Sequence, residues 1–157
     1  MSKKLIFILI LLICFICSKA QININLESVS RPIVKVKIND KIEYLLIDTG
    51  SSINILTPDA VNLYKFRIRT RYAGTLYSIT DKINAFHVDN VLVKLENIII
   101  YQFVMIDIST IVLNIWYETG IKISGILGTP AIKDLGMIIN LSKNNIIINN
   151  SKNYNTK

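Results

Sequence analysis

The chain is 157 residues long, room for one domain, and carries 18 Lys+Arg against 11 Asp+Glu for a formal charge of +7. At 51% hydrophobic it can bury a core, which excludes disorder as the main theme, and its basic excess is spread out, which argues against nucleic-acid binding. Its two cysteines, Cys14 and Cys17, share one N-terminal apolar run and its one histidine is His87, so a thiol protease, a zinc cluster and a disulfide framework are excluded; no cofactor or metal is expected.

Residues 1–20 read as an address. Lys3 and Lys4 precede the apolar stretch Leu5–Cys17, and Ser18-Lys19-Ala20 supplies a small-x-small site with cutting expected before Gln21. The apolar stretch is shorter than the roughly 20 residues that span a bilayer as a helix. Export, periplasmic or secreted, is the expectation; attachment to a membrane through residues 5–17 is the alternative if the segment is retained.

From Gln21 the texture is that of a β protein, rich in Ile, Val, Tyr and Asn. Ile33–Ile38 alternates toward its end as a half-buried strand, and Asn39-Asp40 supplies a turn. Ile42–Ile47 is a second strand whose apolar end predicts burial on both faces. Thr57-Pro58 opens a short helix running to about Tyr64, with Thr57 as N-cap. Residues 66–83 look like an exposed hairpin or loop. Ala85–Leu95 and Ile98–Ile106 read as strands around a turn at Glu96-Asn97, and Asp107–Gly120 as irregular. Ile123–Leu127 is a buried strand, Pro130–Leu135 a short helix closed by Gly136, and Met137–Leu141 with Asn145–Asn149 a final hairpin. The division expected is a leader over 1–20, one domain over 21–150 and a polar tail over 151–157.

Within this chain order, Asp48-Thr49-Gly50-Ser51 follows the apolar strand directly. Burying the approach to Asp48 makes its ionisation costly, while Thr49, Gly50 and Ser51 offer donors that support a carboxylate. Glycine lets the backbone turn and come close. A strand-to-turn Asp-Thr-Gly also occurs by chance, so this segment alone leaves function open.

Taken with Ile126-Leu127-Gly128 about eighty residues later, followed by a helix, the motif resembles the retropepsin-like aspartic proteases, the single-domain relatives of pepsin. The stretch from Asp107-Ile108-Ser109 through Gly120 to Gly128 resembles their exported bacterial branch in particular. The resemblance covers residues 30–150. It implies a mainly β, closed single-domain acid-protease barrel with one or two short helices, acting on a peptide or protein substrate. Asp48 would be the catalytic acid. Thr49 would lock two active-site loops together, Gly50 would line the cleft and Ser51 would hydrogen-bond the carboxylate. Ile126, Leu127 and Gly128 would be structural, beneath the active-site loop. The flap would be the hairpin at Tyr72–Ile83, where Gly74 is the single glycine; Tyr77 is either a flap aromatic or an ordinary tyrosine. Where retroviral members carry Arg and then Asp or Asn after the late glycine, this chain has Thr129-Pro130.

Pepsin-type chemistry needs two carboxylates facing one water, and they share a proton. The chain has one Asp-Thr-Gly, so the resemblance implies a homodimer with Asp48 from each protomer. Asp107 also ends an apolar strand, but Ile108-Ser109-Thr110 lacks the glycine, which makes it a capping or surface acid. His87 has no triad or metal partner and reads as structural. Lys65–Arg71 places basic residues at alternate positions, the solvated face of a strand or a feature favouring acidic substrates or an anionic membrane surface. Two rival readings remain: a peptide-binding protein on the same fold without turnover, and a membrane-anchored structural envelope protein in which Asp-Thr-Gly is incidental.

Overall fold

The computed structural model describes residues 21–77 and 82–149, with side chains outside 70–83. The leader, the polar tail and residues 78–81 lie outside the described residues. In chain order the elements are β1 (Gln21–Asn25), β2 (Ile33–Ile38), β3 (Lys41–Ile47), β4 (Asn54–Leu56), α1 (Pro58–Leu63), β5 (Arg67–Tyr77), β6 (Lys82–Asp89), β7 (Val93–Leu95), β8 (Ile98–Ile100), β9 (Phe103–Met105), α2 (Ser109–Thr119), β10 (Gly125–Leu127), α3 (Thr129–Asp134), β11 (Met137–Asn140) and β12 (Asn145–Asn149).

The β2–β3 hairpin follows from its residues. Val34, Val36 and Ile38 point inward while Lys35 and Lys37 stay exposed. Asn39 and Asp40 both take positive φ, 47° and 65°, as a two-residue turn matched to strand twist requires. At the end of β3, Leu45 and Ile47 pack into the main core while Leu46 contacts two smaller clusters on the other side. Two-sided burial of this strand is thus observed. In α1, Thr57 is the N-cap and its hydroxyl accepts from the Ala60 amide at 3.2 Å.

A nine-stranded sheet runs β5-β6-β9-β4-β10-β3-β2-β7-β8, beside a three-stranded sheet β1-β12-β11. The decisive feature is β10, which inserts between β3 and β4. It pairs parallel with β3, Leu127 opposite Ile47, and antiparallel with β4, Gly125 opposite Leu56. The chain therefore leaves β3, loops, and returns two strands away, with a later segment filling the gap.

Three elements differ from expectation. Residues 107–120 hold a helix, α2. Its β-branched residues have low helix propensity, but Ile115 is buried and Val112 packs beside it. Gly120, at φ 74°, closes the helix by donating its amide to the Trp116 carbonyl. With α1 and α3 this makes three helices among the described residues, rather than one or two. The two long strands expected after residue 85 break into four, with positive φ at Asn90 (61°) and Gln102 (62°). Gln21–Asn25, which lacks a turn signal or a continuous apolar run, becomes a strand by pairing along β12.

Candidate active site

Asp48 stands directly after β3, half-buried, with Thr49 and Gly50 exposed beyond it. Its backbone is anchored by β10, since the Asp48 amide donates to the Leu127 carbonyl at 2.9 Å. Its carboxylate is fixed by the loop, with Oδ1 accepting from the Gly50 amide at 2.8 Å. The Ser51 hydroxyl donates to the Ile53 carbonyl at 2.8 Å. This corrects the expectation for Ser51: the loop curls its hydroxyl back onto the backbone, and the Gly50 amide serves the carboxylate instead.

Beneath this loop lies the late segment. A Cβ on Gly128 would sit 2.2 Å from the Ile53 carbonyl oxygen and 2.7 Å from that of Ser51, so only glycine allows the two backbones to approach. Ile126 and Leu127 are buried, at 3% and 0% exposure, in register with Leu46 and Ile47. Thr129 then donates both its amide (2.8 Å) and its hydroxyl (3.1 Å) to the Ser51 carbonyl. In this chain Thr129 therefore braces the loop that carries Asp48.

Two contributors escape a motif-based reading. Asn54, 2% exposed, accepts the Gly128 amide on Oδ1 at 3.0 Å and donates to the Tyr101 carbonyl at 3.2 Å. Its signal in the sequence is one amide inside the apolar run Ile53–Leu56. Glu43, five residues before Asp48, accepts from the hydroxyls of Tyr64 and Ser124 and so ties β3 to α1 and to the approach of β10. Burial, followed by the bond to Glu43 and its negative charge, pushes the Tyr64 phenol up to about 12.

Gly74 and Tyr77 fall on β5, their backbones opposite Ala85 and Lys82 of β6. The candidate flap is thus a β-hairpin with register shifts along it, and its connection at 78–81 lies outside the described residues. Asp107 is exposed and accepts from the amide and hydroxyl of Ser109, a local capping role as expected. Those bonds hold its carboxyl below the ordinary range. His87 is exposed on β6. Among the described residues no cluster of three metal-ligating side chains occurs.

Two of the grooves among the described residues bear on the site. One of about 510 Å³, bordered by Leu113 and Trp116 of α2, has none of residues 48–51 on its walls. The other, about 670 Å³, begins at Ser52 and Ile53, just after the motif, and reaches the base of the β5–β6 hairpin.

By sequence, the chain matches no protein-family model and no curated protein. Solved structures do match. EIAV protease complexed with the inhibitor HBY-793 is 26% identical at a TM-score of 0.54, over 74% of this chain and 96% of that one. A retropepsin-like aspartic protease from Rickettsia conorii is 15% identical at 0.55, over 82% and 98%. The retroviral protease-like domain of Ddi1 from Leishmania major is 18% identical at 0.53, over 75% and 87%. With β10 threaded between β3 and β4 and Gly128 seated under the Asp48 loop, this chain has the fold of the retropepsin-like aspartic proteases.

Proposed function

We propose that the protein is an aspartic endopeptidase acting as a homodimer, with Asp48 of each protomer forming the catalytic pair. The observation that carries this reading is the placement of Asp48 after β3, its carboxylate held by Gly50 and its loop braced by Leu127, Gly128 and Thr129. Each chain has one Asp-Thr-Gly, and the exposure of Thr49 and Gly50 is compatible with contact by a second copy. In the pair, the ionised carboxylate takes a proton from water, whose oxygen adds to the peptide carbonyl carbon. The protonated carboxyl gives its proton to the carbonyl oxygen. Collapse of the tetrahedral diol, with a proton delivered to nitrogen, breaks the C–N bond. An extended substrate would lie under the β5–β6 hairpin as an added strand. The lysine-flanked apolar leader supports an exported location.

The test is cleavage of a diverse unstructured peptide pool from acidic to neutral pH, beside Asp48→Asn, with sedimentation to establish the dimer. Cleavage by the parent that disappears in the variant is expected. A folded dimer that binds peptides and cuts none would leave a peptide-binding protein on the same fold.

A further inference from the structure

The groove beginning at Ser52 has a chemistry of its own. One wall is the arm that follows the active-site loop, and another is the base of the β5–β6 hairpin, which contributes Arg69, His87 and Asp89. Of the residues around it, Asp89 alone is acidic, and Arg69 already engages it through Nε at 2.7 Å. That geometry matters. A guanidinium bonded through Nε is held in orientation while Nη1 and Nη2 keep their donors, a fork matched to a second carboxylate. Among the described residues, Asp89 is the partner of Arg69, and the arginine side chain is 60% exposed. The exposed His87 adds an imidazole to the same space.

We infer that this groove is a specificity subsite that selects a carboxylate side chain on the substrate, held by the Nη groups of Arg69; the inference rests on the protease reading above. A peptide running along Ser51–Ile53 past Asp48 places alternate side chains toward one face, and the groove opens at that arm. The neighbouring Arg67, exposed on the same strand two residues earlier, adds to the positive field.

The experiment uses a neutral peptide in which Glu, Gln or Lys is scanned through each position on both sides of the scissile bond. At one position Glu is expected to exceed Gln in kcat/KM by about tenfold, the low end for a charge-assisted pair at a partly exposed site, with the difference in KM. Lys at that position is expected to be poorest. In Arg69→Gln the Glu-to-Gln ratio is expected to fall to about one, and in Asp89→Asn, which removes the competing carboxylate, to rise. Circular dichroism melts verify that each variant is folded. Dissociation constants of the same peptides for the Asp48→Asn protein give a readout independent of turnover. If the parent cuts nothing, the protease reading fails, while the Glu-to-Gln binding ratio and its loss in Arg69→Gln still decide the subsite. A Glu preference that survives Arg69→Gln, a scan with no Glu preference, or no peptide binding at all would overturn the inference.

Discussion

The Asn54 carboxamide bridges Gly128 and Tyr101, accepting the amide of the first at 3.0 Å and donating to the carbonyl of the second at 3.2 Å. It therefore joins three segments far apart in sequence at the point where Gly128 meets the Asp48 loop. Replacing it by leucine, similar in volume, leaves the Gly128 donor and the Tyr101 acceptor without these partners. At about 1–3 kcal/mol for each buried group left unpaired, Asn54→Leu is expected to destabilise by about 2–4 kcal/mol in urea unfolding. Asn54→Asp, which keeps the acceptor for Gly128, adds a buried charge and is expected to be no better at neutral pH. A loss within about 0.5 kcal/mol for Asn54→Leu, the range of inconsequential surface changes, would show that the bridge carries no stability.

Glycine substitutions should separate by mechanism. An added Cβ would lie 2.0 Å from the Ile55 carbonyl oxygen at Gly125 and 2.2 Å from that of Ile53 at Gly128. Both contacts are with backbone and cannot be relieved by rotamer change, so Gly125→Ala and Gly128→Ala are expected to cost about 3 kcal/mol or more, or to prevent folding. At Gly120 nothing lies within 4 Å, but φ is 74°. Gly120→Ala there is expected to cost about 1–2 kcal/mol for left-handed backbone alone. Thermal melts of the three variants give the ranking, and a Gly128→Ala protein as stable as Gly120→Ala would refute the close approach.

Much of this arrangement is legible in the residues because it is local. The alternation of Val34, Val36 and Ile38, the Asn39-Asp40 turn and the Thr57-Pro58 helix start each depend on a few neighbouring side chains. The motif and the late glycine are also readable, since their backbone demands restrict the residue types. What sequence does not reveal is set by distant partners. Gln21–Asn25 is a strand because β12 lies beside it, and α2 forms where burial of Ile115 outweighs weak propensity. Asn54 and Glu43 look like ordinary polar residues until β10 brings Gly128 and Ser124 against them. The acceptor of the Ser51 hydroxyl is set by the curl of its loop toward Ile53, which the motif itself does not reveal.

Asp107 offers a test at acid pH. Bonds from the Ser109 hydroxyl and then its amide hold the carboxyl below its ordinary value of 3.8. A depressed folded value means that the contribution to stability is complete above the unfolded value and is lost as pH falls through the folded one. Ser109→Ala, which removes the larger cause, is expected to return the Asp107 titration toward 3.8. Carboxyl-carbon NMR should show that shift, with the parent's stability advantage over the variant full above about pH 5 and lost as pH falls below it. An unchanged Asp107 titration in the variant would rule out the hydroxyl as the cause.

The Tyr64–Glu43 bond makes the opposite prediction in alkali. Burial and then Glu43 raise the phenol from 10.0 to about 12, so the folded protein favours the neutral form. For a raised value, the contribution to stability is complete below the unfolded value of 10.0 and is lost as pH rises through about 12. Tyr64→Phe removes the donor while Ser124 still serves the other Glu43 oxygen. At neutral pH the variant is expected to lose about 1 kcal/mol, typical of one hydrogen bond at a half-buried site. As pH climbs from 10 toward 12 the parent should lose that advantage, because its unfolded chain releases the proton first. Urea unfolding of both proteins across this window measures the gap directly. A gap that stays constant through it would mean that Tyr64 ionises alike in both states and that Glu43 does not hold its proton.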